Sequence, residues 1–191
     1  MPSTLRLFLA INLPDGTKRE IAEATAALRE CAPELTWVRD SQLHLTIKFL
    51  GEQPAERANE VHAAIAQVAA RHRELTMSLA GFGAFPNFRR ARVVWMGVAQ
   101  EPRLELLHHD VEVACDQLGV EMEGRPFRPH LTLARVKGNQ PEERMRMLAR
   151  AAKRNDYATD VVVRSIDLME SDLTANGAKH TLLASAPLRS E

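Results

Sequence analysis

Two short phrases in this sequence set an imidazole and a hydroxyl two residues apart. His44-Leu45-Thr46-Ile47 runs on into Lys48-Phe49-Leu50-Gly51, and His130-Leu131-Thr132-Leu133 into Ala134-Arg135-Val136-Lys137-Gly138. Imidazole is the one side chain whose unperturbed pKa, about 6.5, lets it give or take a proton near neutral pH. Two imidazoles on opposite sides of a phosphorus atom can run an in-line displacement. One takes the proton of the attacking oxygen and the other protonates the leaving oxygen, each role typically contributing ~10² to 10⁴ in rate. Thr46 and Thr132 would donate hydrogen bonds to the non-bridging oxygens, where charge accumulates. A strained five-membered cyclic phosphate suits such a site, because its opening needs an activated water, a protonated leaving alkoxide and little else. The two phrases are nearly equivalent, so the residues alone do not say which histidine is the acid.

For these groups to meet, the elements that carry them must converge. Both phrases alternate polar and apolar residues in β-favouring sequence, so each reads as a strand with His and Thr on one face and Leu or Ile on the other. They lie 86 residues apart (130 minus 44), and the chain laid on itself at that shift repeats its organisation. Arg6-Leu7-Phe8-Leu9 falls on Arg92-Val93-Val94-Trp95, Gly51 near Gly138, and Leu75-Thr76-Met77 on Val161-Val162-Val163. Each half reads as strand, helix, His-x-Thr strand, helix, strand. Thr4 to Asn12 is the first strand. Leu13-Pro14-Asp15-Gly16 then starts a helix carrying Ile21, Ala24 and Leu28, which reaches Ala32-Pro33. Trp37-Val38 approaches the His44 strand, and Pro54 opens a helix with Ala58, Val61, Ile65 and Val68 on its apolar stripe.

Leu75 to Phe85 and Arg92 to Val98 read as strands joined by a turn at Pro86-Asn87. Pro102 opens a helix with Leu104, Leu107, Val111, Ala114 and Leu118 facing inward, ended by Gly119. Glu121 to Pro126 leads into the His130 strand, and Pro141 opens a helix through Met145, Leu148 and Ala152. Thr159 to Met169 and Lys179 to Ala186 read as the last two strands, joined at Asn176-Gly177, a dipeptide that favours tight turns. The fold class expected is α+β: a duplicated bilobal fold, two mainly antiparallel sheets with helices on the outer faces and a central cleft. No linker divides the chain. Residues 1–191 are expected to form a single domain of two pseudo-symmetric lobes with intertwined strands.

The paired His-x-Thr phrases resemble those of the two-histidine phosphoesterase superfamily, and within it the RNA 2′,3′-cyclic phosphodiesterases first described as 2′-5′ RNA ligases. Similarity extends to Leu7-Phe8-Leu9-Ala10-Ile11-Asn12-Leu13-Pro14, to Trp37-Val38 and to Arg128-Pro129, and so covers nearly the whole chain. It implies metal-independent opening of a terminal 2′,3′-cyclic phosphate to a 2′-phosphate, with reversible 2′-5′ ligation as a related activity. By position, it implies that His44 is the proton donor and His130 the proton acceptor. Arg135 matches a basic position after the second motif and is a candidate phosphate ligand. Strict alternation turns Arg135 away from His130, so that role requires a bulge or the strand's end. The implied partners are RNA ends or nucleotides carrying a 2′,3′-cyclic phosphate, met by a monomer without a cofactor.

Composition agrees with such an enzyme. The chain has 191 residues, 45% hydrophobic and 26% charged, as in an ordinary globular protein. Twenty-five basic and 25 acidic residues leave no net charge, which argues against a wide electrostatic grip on long nucleic acid. Local patches at Arg89, Arg90 and Arg92, or at Arg125, Arg128, Arg135 and Lys137, remain compatible with one or two phosphates. Cys31 and Cys115 cannot build a metal cluster and suit a reducing compartment. The run from Leu5 to Leu13 is a strand and not a signal peptide, and no apolar stretch approaches the ~20 residues of a membrane span, so a cytoplasmic protein without a membrane partner is expected.

Other residues have plainer readings. Lys48 shares the parity of His44 and reads as a solvated lysine at the cleft rim. Phe49, Phe88 and Phe127 offer stacking surfaces for a base, though an aromatic in a strand is more often core. His62, His72, His108 and His109 read as ordinary helix residues among charges, and His180 in the last strand as non-catalytic. Met145, Met147 and Trp95 read as core, and Arg89-Arg90 as a solvated loop. A metal site would need a third ligand that neither motif supplies. The remaining alternative is a non-catalytic module that binds nucleotides or RNA ends in the same cleft, although binding alone has no need of paired proton carriers.

Overall fold

The strands that begin at His44 and His130 are neighbours in the middle of one antiparallel sheet. The computed structural model describes residues 4–174 and 177–190. In chain order these form β1 (Thr4–Asn12), α1 (Asp15–Ala24), α2 (Ala26–Cys31), β2 (Thr36–Trp37), β3 (His44–Pro54), α3 (Arg57–Ala69), β4 (Leu75–Phe85) and β5 (Val93–Val98). They continue with α4 (Pro102–Gln117), β6 (His130–Arg135), α5 (Glu142–Arg154), β7 (Ala158–Val163), β8 (Ser165–Thr174) and β9 (Gly177–Pro187). The sheet order is β7-β4-β5-β6-β3-β1-β8-β9, with the short β2 also paired to β6.

The α+β architecture expected from the pattern is present, and its two sheets join through one pair, Leu45 with Leu131. On one side lie β7, β4, β5 and β6; on the other, β3, β1, β8 and β9. Strands cross between the halves: β4 follows β3 in sequence but pairs with β5, while β8, late in the chain, pairs with β1. The core lies beneath the face opposite the histidines. Leu7, Leu9 and Ile11 of β1, with Leu45 and Ile47 of β3, pack against Val61, Ile65 and Val68 of α3 and Leu107, Val111 and Cys115 of α4. A smaller core joins Val94 and Ala134 to Leu28 of α2 and to Met145, Leu148 and Ala152 of α5.

Several sequence expectations shift. The first helix is two, because the Thr25 hydroxyl donates to the Ile21 carbonyl and the chain restarts one residue later. Pro54 ends β3 instead of opening α3, which begins at Arg57. The run from Thr159 to Met169 is not one strand: it divides at Arg164 into β7, paired with β4, and the start of β8, paired with β1. The residues aligned at a shift of 86, Leu75-Thr76-Met77 and Val161-Val162-Val163, are hydrogen-bonded neighbours and not counterparts in the sheet. Met147 is 48% exposed on α5, whereas Met145 on the inner stripe is buried. The turn expected at Asn176 lies outside the described residues, between the paired β8 and β9. Among the described residues, no helix is long and apolar enough to cross a membrane.

Candidate active site

The two motif strands overlap over little more than their own His-x-Thr triplets. Since Leu45 faces Leu131 in an antiparallel pair, alternation sets His44 beside Thr132 and Thr46 beside His130, all four on the face away from the core. Directly opposed side chains start ~5 Å apart and diagonal ones ~7–8 Å. His44 and His130 are on the diagonal, a separation that admits a phosphate between the rings. The floor is completed by Ala10 and Asn12 beside Thr46 and His44, and by Trp95 and Gly97 beside Thr132 and His130. Gly97 is required there, because an added Cβ would stand 2.7 Å from the Ala80 carbonyl oxygen.

Both rings are aimed in the same way. The Nδ1 atom of His44 lies 2.7 Å from the Gln42 carbonyl oxygen, and that of His130 lies 2.7 Å from the Arg128 carbonyl oxygen. A carbonyl only accepts, so each Nδ1 carries the proton and each Nε2 is left for the cleft. His44 Nε2 is 3.1 Å from Thr46 Oγ1. The surroundings then differ. Burial pulls His44 down to a pKa of about 4, despite the Gln42 carbonyl, and the nearby charges of His180, Lys18 and Arg135 act in the same direction. Its ring contacts Phe8 and His180, each with centroids 5.1 Å away. His130 meets Phe85 edge-on at 5.0 Å and borders a cavity of about 360 Å³.

A bulge follows each triplet and sorts the next residues. On β3, Leu9 pairs with Lys48 and Ala10 with Thr46, so Ile47 is passed over; on β6, Val94 pairs with Ala134 and Trp95 with Thr132, so Leu133 is passed over. The extra residue reverses parity. Arg135 therefore returns to the histidine face, and its charge is felt by both His44 and His180. Lys48, expected at the cleft rim, is driven to the core side and is 1% exposed. Its Nζ donates to Glu112 Oε2 and to the Glu121 carbonyl, both at 2.8 Å, while Glu112 Oε2 also accepts from the Glu123 N–H at 2.9 Å. This buried pair fastens the segment leading to Arg128 onto the strand that carries His44.

The remaining candidates separate. Phe49 faces the cleft beside Phe8 and is 54% exposed, Phe127 lines the cavity near His130, and Phe88 packs against the α5 side, away from the triplets. His108 stacks on Phe127 at 3.9 Å, and His72, which lies past the end of α3, pairs with Asp110. His180 is the residue that sequence reasoning missed. It reaches the site from β9, where its ring completes a triangle with Phe8 and His44, and burial lowers its pKa. Nothing local marks it, since the contact depends on β9 lying two strands from β1. Trp95 is only partly buried and forms cavity wall instead of core. Among the described residues, no three His, Cys, Asp or Glu side chains group as metal ligands.

An α+β sheet whose halves meet at paired His-x-Thr triplets is the arrangement implied by the two-histidine phosphoesterase resemblance. The chain belongs to the 2′-5′ RNA ligase superfamily, whose family model matches residues 14–175. It is 31% identical over 194 aligned residues to an RNA 2′,3′-cyclic phosphodiesterase of Thermus thermophilus, covering 98% of this chain and 92% of that protein. It is 36% identical to a protein of the same description from Geobacillus stearothermophilus, over 67% of this chain; that match spans only 41% of the longer relative. The crystal structure of E. coli LigT complexed with 3′-AMP superposes with a TM-score of 0.76 at 27% identity, covering 97% of this chain and 99% of that one.

Proposed function

We propose that this protein hydrolyses 2′,3′-cyclic phosphate at RNA ends or on nucleotides to a 2′-phosphate, by paired histidine catalysis without a metal. The observation that carries this reading is the convergence of the two triplets where the halves of the sheet meet, with Nδ1 of each ring held by a carbonyl two residues earlier. His130 Nε2 takes a proton from water as its oxygen attacks phosphorus. The bond from phosphorus to the 3′ oxygen breaks, and His44 gives that oxygen its proton. Thr46, Thr132 and Arg135 bind the non-bridging oxygens, where a charge-assisted bond is stronger than a neutral one. A ring held near 4 is mostly neutral at pH 7, so the acid role of His44 depends on the bound phosphate anion to raise its pKa.

Support for the substrate class comes from relatives named RNA 2′,3′-cyclic phosphodiesterase and from LigT, solved with 3′-AMP, ATP and NADP+. A 5′-hydroxyl in place of water would make the same acid and base join two RNA ends through a 2′-5′ linkage. Both histidines come from one chain, so a monomer suffices. The test is product analysis of an oligonucleotide ending in 2′,3′-cyclic phosphate, incubated in EDTA. A 2′-phosphate product is expected; binding without product would favour the non-catalytic module and overturn the reading.

A further inference from the structure

In-line displacement divides the space around the phosphorus. The 3′ oxygen leaves toward His44 with its nucleoside attached, so that nucleoside lies on the His44 side, where the exposed Phe49 stands 6.1 Å from Phe8. Whatever attacks enters beside His130. The space there is the cavity of about 360 Å³ walled by Phe85, Trp95 and Phe127, with Arg128 and Gln100 at exposed positions of its lining. A water molecule has a share of about 30 Å³ in the liquid, whereas organic ligands occupy pockets of about 300 Å³ and more. The cavity is therefore about ten times what hydrolysis uses.

We propose that this cavity is the acceptor subsite of the enzyme, built for an alcohol nucleophile: a nucleoside or RNA end with a free 5′-hydroxyl. The aromatic walls provide a stacking surface for its base, a contact that tolerates every base. Arg128 is placed for the phosphodiester that follows in a longer acceptor. The acceptor's 5′ oxygen attacks phosphorus and passes its proton to His130. The bond to the 3′ oxygen breaks, that oxygen takes the proton of His44, and a 2′-5′ linkage forms with no further reactant. This assignment rests on the reading of His130 as the base.

The experiment supplies uridine 2′,3′-cyclic phosphate with excess adenosine and follows two products, the 2′-nucleotide and the 2′-5′ dinucleoside. Wild-type protein is expected to form both, and 5′-deoxyadenosine to give no dinucleoside. Gln100→Trp, which fills the cavity from an exposed position, should lower the ratio of transfer to hydrolysis at least tenfold. Phe127→Ala, which removes a wall, should raise the adenosine concentration needed for half-maximal transfer. Hydrolysis without transfer at saturating adenosine would overturn the subsite while sparing the catalytic reading. An unchanged ratio in both variants, or a rise in KM for the cyclic phosphate matching the loss of transfer, would assign the cavity elsewhere. Absence of both products would remove the catalytic reading and this assignment with it.

Discussion

The strand carrying His44 and the strand carrying His130 share a scaffold and differ in what surrounds it. Each ring is held at Nδ1 by the carbonyl two residues back, each triplet is followed by a bulge, and each tail ends in a glycine of positive φ, 71° at Gly51 and 65° at Gly138. A left-handed backbone at those two positions favours glycine, which explains why both phrases end the same way. The bulge then delivers Lys48 to the core and Phe49 to the cleft on one side, but Ala134 to the core and Arg135 to the cleft on the other. His44 is enclosed by Phe8 and His180, whereas His130 faces a cavity. Duplication supplied one geometry twice; the neighbours divided it into a closed acid side and an open base side.

Breaking either side at the ring has the largest effect. His44→Ala and His130→Ala should each lower turnover of a nucleoside 2′,3′-cyclic phosphate by ~10² to 10⁴, with the circular dichroism spectrum preserved. Rates near wild type in either variant would remove that residue from the mechanism.

Next comes the anchor found on one side only. Lys48→Ala or Glu112→Ala leaves a buried partner charge without compensation and should cost ~3–5 kcal/mol of unfolding free energy by denaturant titration. The joint replacement Lys48→Met with Glu112→Leu should recover most of that loss, since an apolar pair of similar volume fills the same space. Equal loss in single and double variants would mean that packing, and not charge pairing, sets the cost.

Acid sharpens the contrast. A histidine depressed in the folded state contributes full stability above its unfolded pKa of about 6.5, and loses it as pH falls toward 4. The His44 contribution is on the order of 3 kcal/mol over that window, from about 2.5 pKa units at 1.36 kcal/mol each. Stability measured from pH 7 to pH 4 should therefore fall less steeply in His44→Gln than in wild type; parallel curves would refute the enclosure of His44. Smallest of the four, Thr46→Val and Thr132→Val should each cost ~1.5–3 kcal/mol in kcat/KM, the range of a hydrogen bond to a charged group. No effect from either would exclude the hydroxyls as phosphate donors.

Much of this was legible in the sequence because it is local. Alternation in each triplet, the repeat at 86 residues and the breakers at Pro14, Pro102 and Gly119 gave the elements and the four central side chains. Parity beyond the triplets was not, since a bulge is set by the neighbouring strand; Lys48 was thus read outward, and Arg135 inward only on condition of a bulge. The junction of β7 and β8 was hidden for a similar reason, as a single residue, Arg164, separates two β-favouring runs that pair at opposite ends of the sheet. His180 was missed because its neighbours in space, Phe8 and His44, are more than 130 positions away in the chain.

The central claim is that the two Nε2 atoms flank one phosphorus. A crystal structure with a nucleoside 2′,3′-cyclic vanadate, whose trigonal-bipyramidal centre mimics the displacement, tests it directly. The expected result has one apical oxygen hydrogen-bonded to His44 Nε2 and the opposite apical oxygen to His130 Nε2, with Thr46, Thr132 and Arg135 on the equatorial oxygens. A vanadate contacted by only one ring, or by both rings on the same side, would contradict the mechanism.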